Sequence, residues 1–262
     1  MQASESENRY DQRNIDTMEM VYGRGYLSAG GDTEVAKNLF GLDLAGKRVL
    51  DLGCGLGGAS VTMARDLGAT EIVGFDIDEM VLARAELLIR EEGVEDRVKL
   101  VKGVPGPLDF ADETFDLVYV TAVTCHMSDL NGFIGEIVRV LKPGGWLTGS
   151  DWLLRERNDT FLLWDKLLRD RGLKFYFVDK PVFENSMVSS GLSQISFIDR
   201  TEAFTRFAAM SKRRVEGELQ PSLQASLGEE GYRAMRDWTR VRYDGLNNGA
   251  MWYQQFRGQK AV

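Results

Sequence analysis

Lys47-Arg48-Val49-Leu50-Asp51-Leu52-Gly53-Cys54-Gly55-Leu56-Gly57-Gly58 is the stretch that decides the fold. Its first half is a short apolar run holding one acid, which reads as a buried strand. Glycine then breaks the run, and helical spacing resumes through Asp66. A strand that passes through a glycine turn into a helix presents backbone N–H groups at the carboxyl end of a sheet, where open α/β folds hold ligands. Gly53, Gly55 and Gly58 fit G-x-G-x-x-G, a weak signal alone because any tight turn favours glycine. Asp76 sharpens it. It closes the next apolar run, Glu71-Ile72-Val73-Gly74-Phe75-Asp76, 25 residues after Asp51. That is the distance at which a carboxylate accepts hydrogen bonds from a ribose diol. An acid here also suits a helix N-cap, and the two roles are compatible.

Outward from this unit, strands and helices alternate. Residues 33–40 and 79–92 have helical spacing. Val98-Lys99-Leu100-Val101 and Phe115-Asp116-Leu117-Val118-Tyr119-Val120 read as strands. A helix over 129–141 ends at Lys142-Pro143-Gly144-Gly145, and Trp146 to Ser150 reads as a fifth strand. Parallel pairs need crossover helices, so this order predicts an α/β fold: a doubly wound, mostly parallel, seven-stranded, Rossmann-like sheet. Beyond residue 150, helices are expected near 157–171, 180–190, 202–217 and 229–244, then an alternating strand from Gly249 to Phe256. Residues 1–150 hold 20 of the 28 glycines, and the remainder holds 16 of the 26 aromatics. A glycine-rich binding core over 45–150 is therefore followed, in the same domain, by an aromatic cover over 151–262.

Composition excludes several function classes. With 44% hydrophobic and 27% charged residues, the 262-residue chain is an ordinary globular protein. Its net charge of -8 argues against general nucleic-acid binding, which depends on neutralising phosphates. No apolar run approaches the roughly 18 residues of a membrane span. The start, Met1-Gln2-Ala3-Ser4-Glu5-Ser6-Glu7-Asn8, lacks the basic and apolar regions of a secretory signal, so a cytoplasmic protein is expected. Cys54 and Cys125 cannot build a disulfide framework or a four-thiolate zinc site, so metal-independent chemistry is expected.

A strand–glycine–helix–strand–acid unit can hold NAD, FAD or S-adenosylmethionine. Four blocks narrow the choice: Val49 to Gly58, then Gly74-Phe75-Asp76-Ile77-Asp78, then Phe115-Asp116-Leu117-Val118-Tyr119, then Arg139-Val140-Leu141-Lys142-Pro143-Gly144-Gly145-Trp146-Leu147. In this order the chain resembles the class I S-adenosylmethionine-dependent methyltransferases over roughly residues 45–152. The resemblance implies S-adenosylmethionine as cofactor and S-adenosylhomocysteine as product. It implies Gly53 and Gly55 beside the methionine and ribose, with Asp51 and Thr121 in the same lining. It implies Asp76 on the ribose hydroxyls and Ile77 against adenine. Many relatives place an acid for the adenine amino group where this chain has Val104, followed by Pro105. A backbone carbonyl, a displaced acid such as Asp109, or a looser grip on adenine are the alternatives.

Met20-Val21-Tyr22-Gly23-Arg24-Gly25-Tyr26-Leu27-Ser28-Ala29-Gly30-Gly31 resembles the N-terminal cap of small-amine N-methyltransferases, including the phosphoethanolamine and sarcosine/dimethylglycine enzymes. That implies a cap over residues 1–44 closing on the cofactor, with Leu27 and Ser28 at its methionine end. It also implies Tyr10 as a closing residue paired with His126, the only histidine in the chain. Methyl transfer needs an oriented lone pair and exclusion of water. An ammonium acceptor must first lose a proton, which an imidazole can take. His126 and Tyr10 are therefore the expected catalytic pair. The match departs at Ala122, where the phosphoethanolamine enzymes carry an Asp, and at Trp152, where they carry a hydroxyl that grips phosphate. Arg171 falls near their phosphate-binding Arg. Trp152, Tyr243 and Trp252 are expected to wall a methylammonium through cation–π contacts.

These features imply methyl transfer to a small polar acceptor, an amine nitrogen of an amino acid or ethanolamine-like metabolite. The expected partner is a small molecule, with neither nucleic acid nor membrane involved. Thr124-Cys125-His126 supplies a rival, because sterol C-methyltransferases carry a similar stretch after the fourth strand. A third alternative is a protein that binds S-adenosylmethionine without turning it over.

Overall fold

The computed structural model describes residues 11–170 and 174–262. Its strands are β1 (Arg48–Leu52), β2 (Glu71–Asp76), β3 (Val98–Lys102), β4 (Phe115–Thr121), β5 (Leu141–Leu154), β6 (Leu192–Asp199) and β7 (Met251–Lys260). They form one seven-stranded sheet in the order β3-β2-β1-β4-β5-β7-β6. The first five pair in parallel, and β7 lies antiparallel between β5 and β6. The doubly wound sheet expected from the sequence is present.

Period-two alternation divides the strand residues between two cores. Val49, Leu117 and Tyr119 face one side. There they meet Val35 of α2 (Gly31–Asn38), Met63 of α3 (Gly58–Arg65) and Ile89 of α4 (Glu79–Glu91). Leu50, Leu52, Val118 and Val120 face the other. Their partners include Phe133, Ile134 and Ile137 of α5 (Leu130–Val140) and Phe183 of α7 (Lys180–Ser189). Burying each such side chain contributes about 1.5–3 kcal/mol, which fixes the strand order and so the end where ligands bind. A third, aromatic cluster gathers where the end of β5 pairs with the start of β7. It draws on Trp152 of β5, Trp164 of α6 (Asp159–Asp170), Phe204 of α8 (Thr201–Glu216) and Leu246 of α9 (Gln220–Asn247).

Four elements differ from the sequence reading. Lys142-Pro143-Gly144-Gly145 belongs to β5 rather than ending before it. Phe115 pairs with Leu141 and Leu117 with Trp146, so the intervening residues form a bulge in which Gly144 takes a φ of 75°. β6 was not read as a strand because its edge position leaves only Leu192 buried and breaks the apolar alternation. Helix α1 (Gln12–Tyr22) was missed because most of its residues are polar, though Asp11 caps it by accepting from the Asn14 N–H at 2.7 Å. α9 begins at Gln220 instead of 229, with a break at Gly228, whose φ is 70°.

Candidate active site

The glycine turn is stapled to the neighbouring strand. Gly53 and Cys54 N–H groups both donate to the Phe75 carbonyl, at 2.8 and 3.0 Å. Gly53 has a φ of 80°, and a Cβ there would lie 2.4 Å from Val123 Cγ2, so no other residue fits without moving that loop. Asp76 organises the far side. Its Oδ2 accepts from the Gly55 N–H at 2.9 Å, and Oδ1 accepts from Ile77 and Asp78 at 2.8 and 3.1 Å. A carboxylate has about four acceptor sites, so Oδ2 retains one for a ligand. Burial raises the Asp76 pKa, against the lowering effect of those backbone N–H groups.

Asp51 lies deeper and accepts from Ser60 Oγ at 2.6 Å. Burial pushes its carboxyl from 3.8 up to about 7, with the Asp76 charge adding to the effect. Between those values the folded chain holds a proton that the unfolded chain has released, so stability falls as pH rises across that window. Asp51→Asn keeps an oxygen acceptor for Ser60 and removes the titration. The wild-type melting temperature, taken relative to Asp51→Asn, is expected to decline steadily between about pH 4 and pH 7. Parallel melting curves would remove Asp51 as the titrating group.

The segment before β1 closes one side of this turn. The Gly58 N–H donates to the Gly25 carbonyl at 3.1 Å, and Tyr26 hydrogen-bonds Asp32 and Thr62 at 2.6 and 3.0 Å. Leu27 packs with Ile15, Leu56 and Val81, which seats Ser28 at the cavity edge. Arg214 of α8 donates to the Val21 carbonyl at 3.0 Å, tying α1 to the cover.

His126 ends a single 3-10 turn, Thr124–His126, just past β4. Asp151 of β5 holds that turn: its Oδ2 accepts from the Thr124 N–H and hydroxyl at 2.7 and 2.6 Å. The Tyr176 N–H donates to the Cys125 carbonyl at 2.7 Å, joining the cover to the same turn. The imidazole is half-buried and stands edge-on to Phe175, with ring centroids 4.3 Å apart.

One cavity of about 1110 Å³ connects these groups. Asp51, Gly53, Gly55, Asp76 and Ile77, from the ends of two neighbouring strands and the loops after them, line it, as do Val104 and Pro105. Leu27, Ser28, Thr121, His126 and Trp152 line it as well. Single drug-sized ligands occupy roughly 300–1,000 Å³, so a nucleotide-like ligand and a small second molecule fit together. Tyr10 and Arg171 lie outside the described residues.

Tyr243 and Trp252 do not line the cavity. On α9 a one-residue step turns a side chain by about 100°, so Arg242 faces the cavity and Tyr243 does not. On β7 alternation buries Tyr253 beside Trp152, while Trp252 lies under Arg155. The wall is instead completed by Trp164, Trp238 and Arg242, none of which the sequence reading named as a site residue. Their spacing held a usable signal: Trp238 and Arg242 are four apart on one helix, hence on one face. Glu34 was also missed. Its carboxylate is buried at the cavity, with Oε1 unpartnered and Oε2 3.4 Å from Arg200.

Residues 50–148 match the family model described as a methyltransferase domain. The chain carries a methyltransferase domain. That domain spans the glycine turn, Asp76 and the His126 turn. Sterol 24-C-methyltransferase of Eremothecium gossypii is 40% identical over 115 residues, 44% of this chain and 31% of that protein. The chain thus spans about a third of the length of that curated relative. Among solved structures, Haemonchus contortus phosphoethanolamine N-methyltransferase 2, in complex with phosphomonomethylethanolamine and S-adenosylhomocysteine, superposes with a TM-score of 0.87 at 21% identity, over 97% of this chain and 59% of that one. A Galdieria sulphuraria protein assigned as a sarcosine dimethylglycine methyltransferase superposes with a TM-score of 0.76 at 19% identity, over 88% and 84%. These likenesses extend the shared fold to residues on both sides of 50–148. Among the described residues no helix is long and apolar enough to cross a membrane.

Proposed function

We propose that the chain binds S-adenosylmethionine along Asp51, Gly55 and Asp76 and transfers its methyl group to an amine nitrogen of a small polar acceptor. The carrying observation is the single cavity that joins Asp76 and the glycine turn to His126 and a wall of tryptophans. The residues fit the cofactor. Glycine clears the backbone path, and Asp76 Oδ2 keeps an acceptor site for a ribose hydroxyl. The bound sulfonium supplies the electrophilic methyl.

The chain's own residues do the rest. Trp152, Trp164 and Trp238 wall the acceptor end of the cavity. His126 stands at the acceptor end to take the proton that frees the nitrogen lone pair. Asp151 keeps its turn in place, and the Tyr26–Leu27–Ser28 segment keeps water from the methionine end. The likeness to a structure holding phosphomonomethylethanolamine supports this reading.

C-methylation of a sterol-like alkene is the second reading. Thr124-Cys125-His126 and the 40% identity to a sterol 24-C-methyltransferase favour it. Purified protein incubated with S-adenosylmethionine and separate acceptors decides between them. Glycine, sarcosine, dimethylglycine, ethanolamine derivatives and sterols make the panel. The amine reading expects S-adenosylhomocysteine to accumulate only with an amine. Turnover with a sterol alone overturns it, and cofactor binding without turnover on any acceptor leaves a binding protein.

A further inference from the structure

Arg242 is a buried guanidinium with no carboxylate partner among the described residues. It lies on α9, is 7% exposed, and lines the cavity at the tryptophan end. Its helix neighbours behave differently. Arg233 pairs with Glu229, Arg236 with Asp237, and Arg240 with Asp244, all toward the surface. Arg242 instead lies over aromatic rings, with Cζ 4.9 Å from the Trp152 centroid, 5.2 Å from Tyr22 and 5.6 Å from Trp238. One N–H donates to the Tyr22 hydroxyl. A guanidinium carries five N–H donors in a planar fork, so most of this one is unspent.

Burying a charge without a partner is costly, and cation–π contacts offset only part of it. The fork geometry matches a carboxylate or phosphate, which accepts two parallel hydrogen bonds. Lys174 also lines the cavity and adds positive charge. We propose that Arg242 is the anion-binding residue of the acceptor subsite, so that the acceptor bears a carboxylate or phosphate as well as its nucleophilic atom. This rests on reading the tryptophan end as the acceptor site. It narrows the acceptor class to a zwitterionic amine and disfavours an uncharged sterol.

The test pairs acceptors that differ only in the anion: glycine with methylamine, and phosphoethanolamine with ethanolamine. In the wild type the anionic member of one pair is expected to show at least tenfold higher kcat/KM, and which pair responds tells carboxylate from phosphate. Arg242→Gln is expected to raise KM for that acceptor at least tenfold with little change in kcat, and Arg242→Lys to restore part of it. A pair ratio unchanged in Arg242→Gln overturns the proposal. So does an equal loss of S-adenosylhomocysteine affinity by calorimetry, which assigns the anion to the cofactor's own carboxylate.

A second readout needs no turnover. Acetate and inorganic phosphate are titrated into the S-adenosylhomocysteine complex, and one of them is expected to raise its melting temperature in the wild type but not in Arg242→Gln. This arm separates the two ideas. If no amine is methylated yet the anion response depends on Arg242, the amine reading fails and the anion site stands. If the wild type shows no anion response, the anion site fails whatever the acceptor, including when Arg242→Gln does not fold.

Discussion

Asp76→Ala is expected to weaken S-adenosylhomocysteine binding by about tenfold to a hundredfold while the sheet stays folded. The lower bound follows from one hydrogen bond to a charged acceptor, about 1.5–3 kcal/mol, at about 1.4 kcal/mol per tenfold. A second contribution comes through the protein. The carboxylate also accepts from the N–H groups of Gly55, Ile77 and Asp78, so its removal frees the turn that the cofactor lies against. The two effects separate with a modified ligand. S-adenosylhomocysteine lacking both ribose hydroxyls should bind wild type and Asp76→Ala with similar affinity if the direct contact dominates. If the variant weakens both ligands equally, Asp76 acts only by holding the turn. Unchanged affinity for the parent ligand, measured by calorimetry, removes Asp76 from the site altogether.

What the sequence showed of this site depends on how its residues are joined. The glycine turn and Asp76 were legible because consecutive strand ends carry them, and the parallel crossover brings those ends together wherever it occurs. His126 was legible for the same reason, as it follows β4, which pairs with β1. The cover was not. Trp164, Trp238 and Arg242 reach the cavity from α6 and α9, whose docking depends on the aromatic cluster rather than on local pattern. Composition therefore found an aromatic cover, but of the aromatics chosen from it Tyr243 and Trp252 do not line the cavity. One residue of helix rotation or strand alternation separates each from a neighbour that packs inward. Val104 illustrates a further limit. The structure leaves it largely exposed at the cavity rim, and a residue's exposure is set by the loop around it rather than by its own apolar character.

His126→Ala carries the largest expected effect: a fall in turnover of more than a hundredfold, with cofactor affinity little changed. An alkylammonium resembling a lysine side chain has a pKa near 10.4, so roughly one molecule in 2,500 is neutral at pH 7. Without a base at the site, transfer must wait for that fraction. A positioned general base typically contributes about 10²–10⁴-fold. The geometry supplies the positioning, since Asp151 fixes the turn and Phe175 meets the ring edge-on. A latch role predicts a smaller number. Loss of one lid hydrogen bond, at about 1 kcal/mol, lowers the rate near fivefold. Equal, small and non-additive losses in His126→Ala and Tyr10→Phe would mark that latch. The pH profile distinguishes the roles again. A neutral imidazole acting as base gives kcat/KM a limb that rises as the ring loses its proton. The free amine adds its own limb at higher pH. Only the lower limb should vanish in His126→Ala, leaving a variant whose rate climbs toward the wild type as the solution itself deprotonates the acceptor. If the variant turns over at the wild-type rate from about pH 6 to about pH 9, where imidazole passes from charged to neutral, both roles fail and the ring serves the packing of the turn.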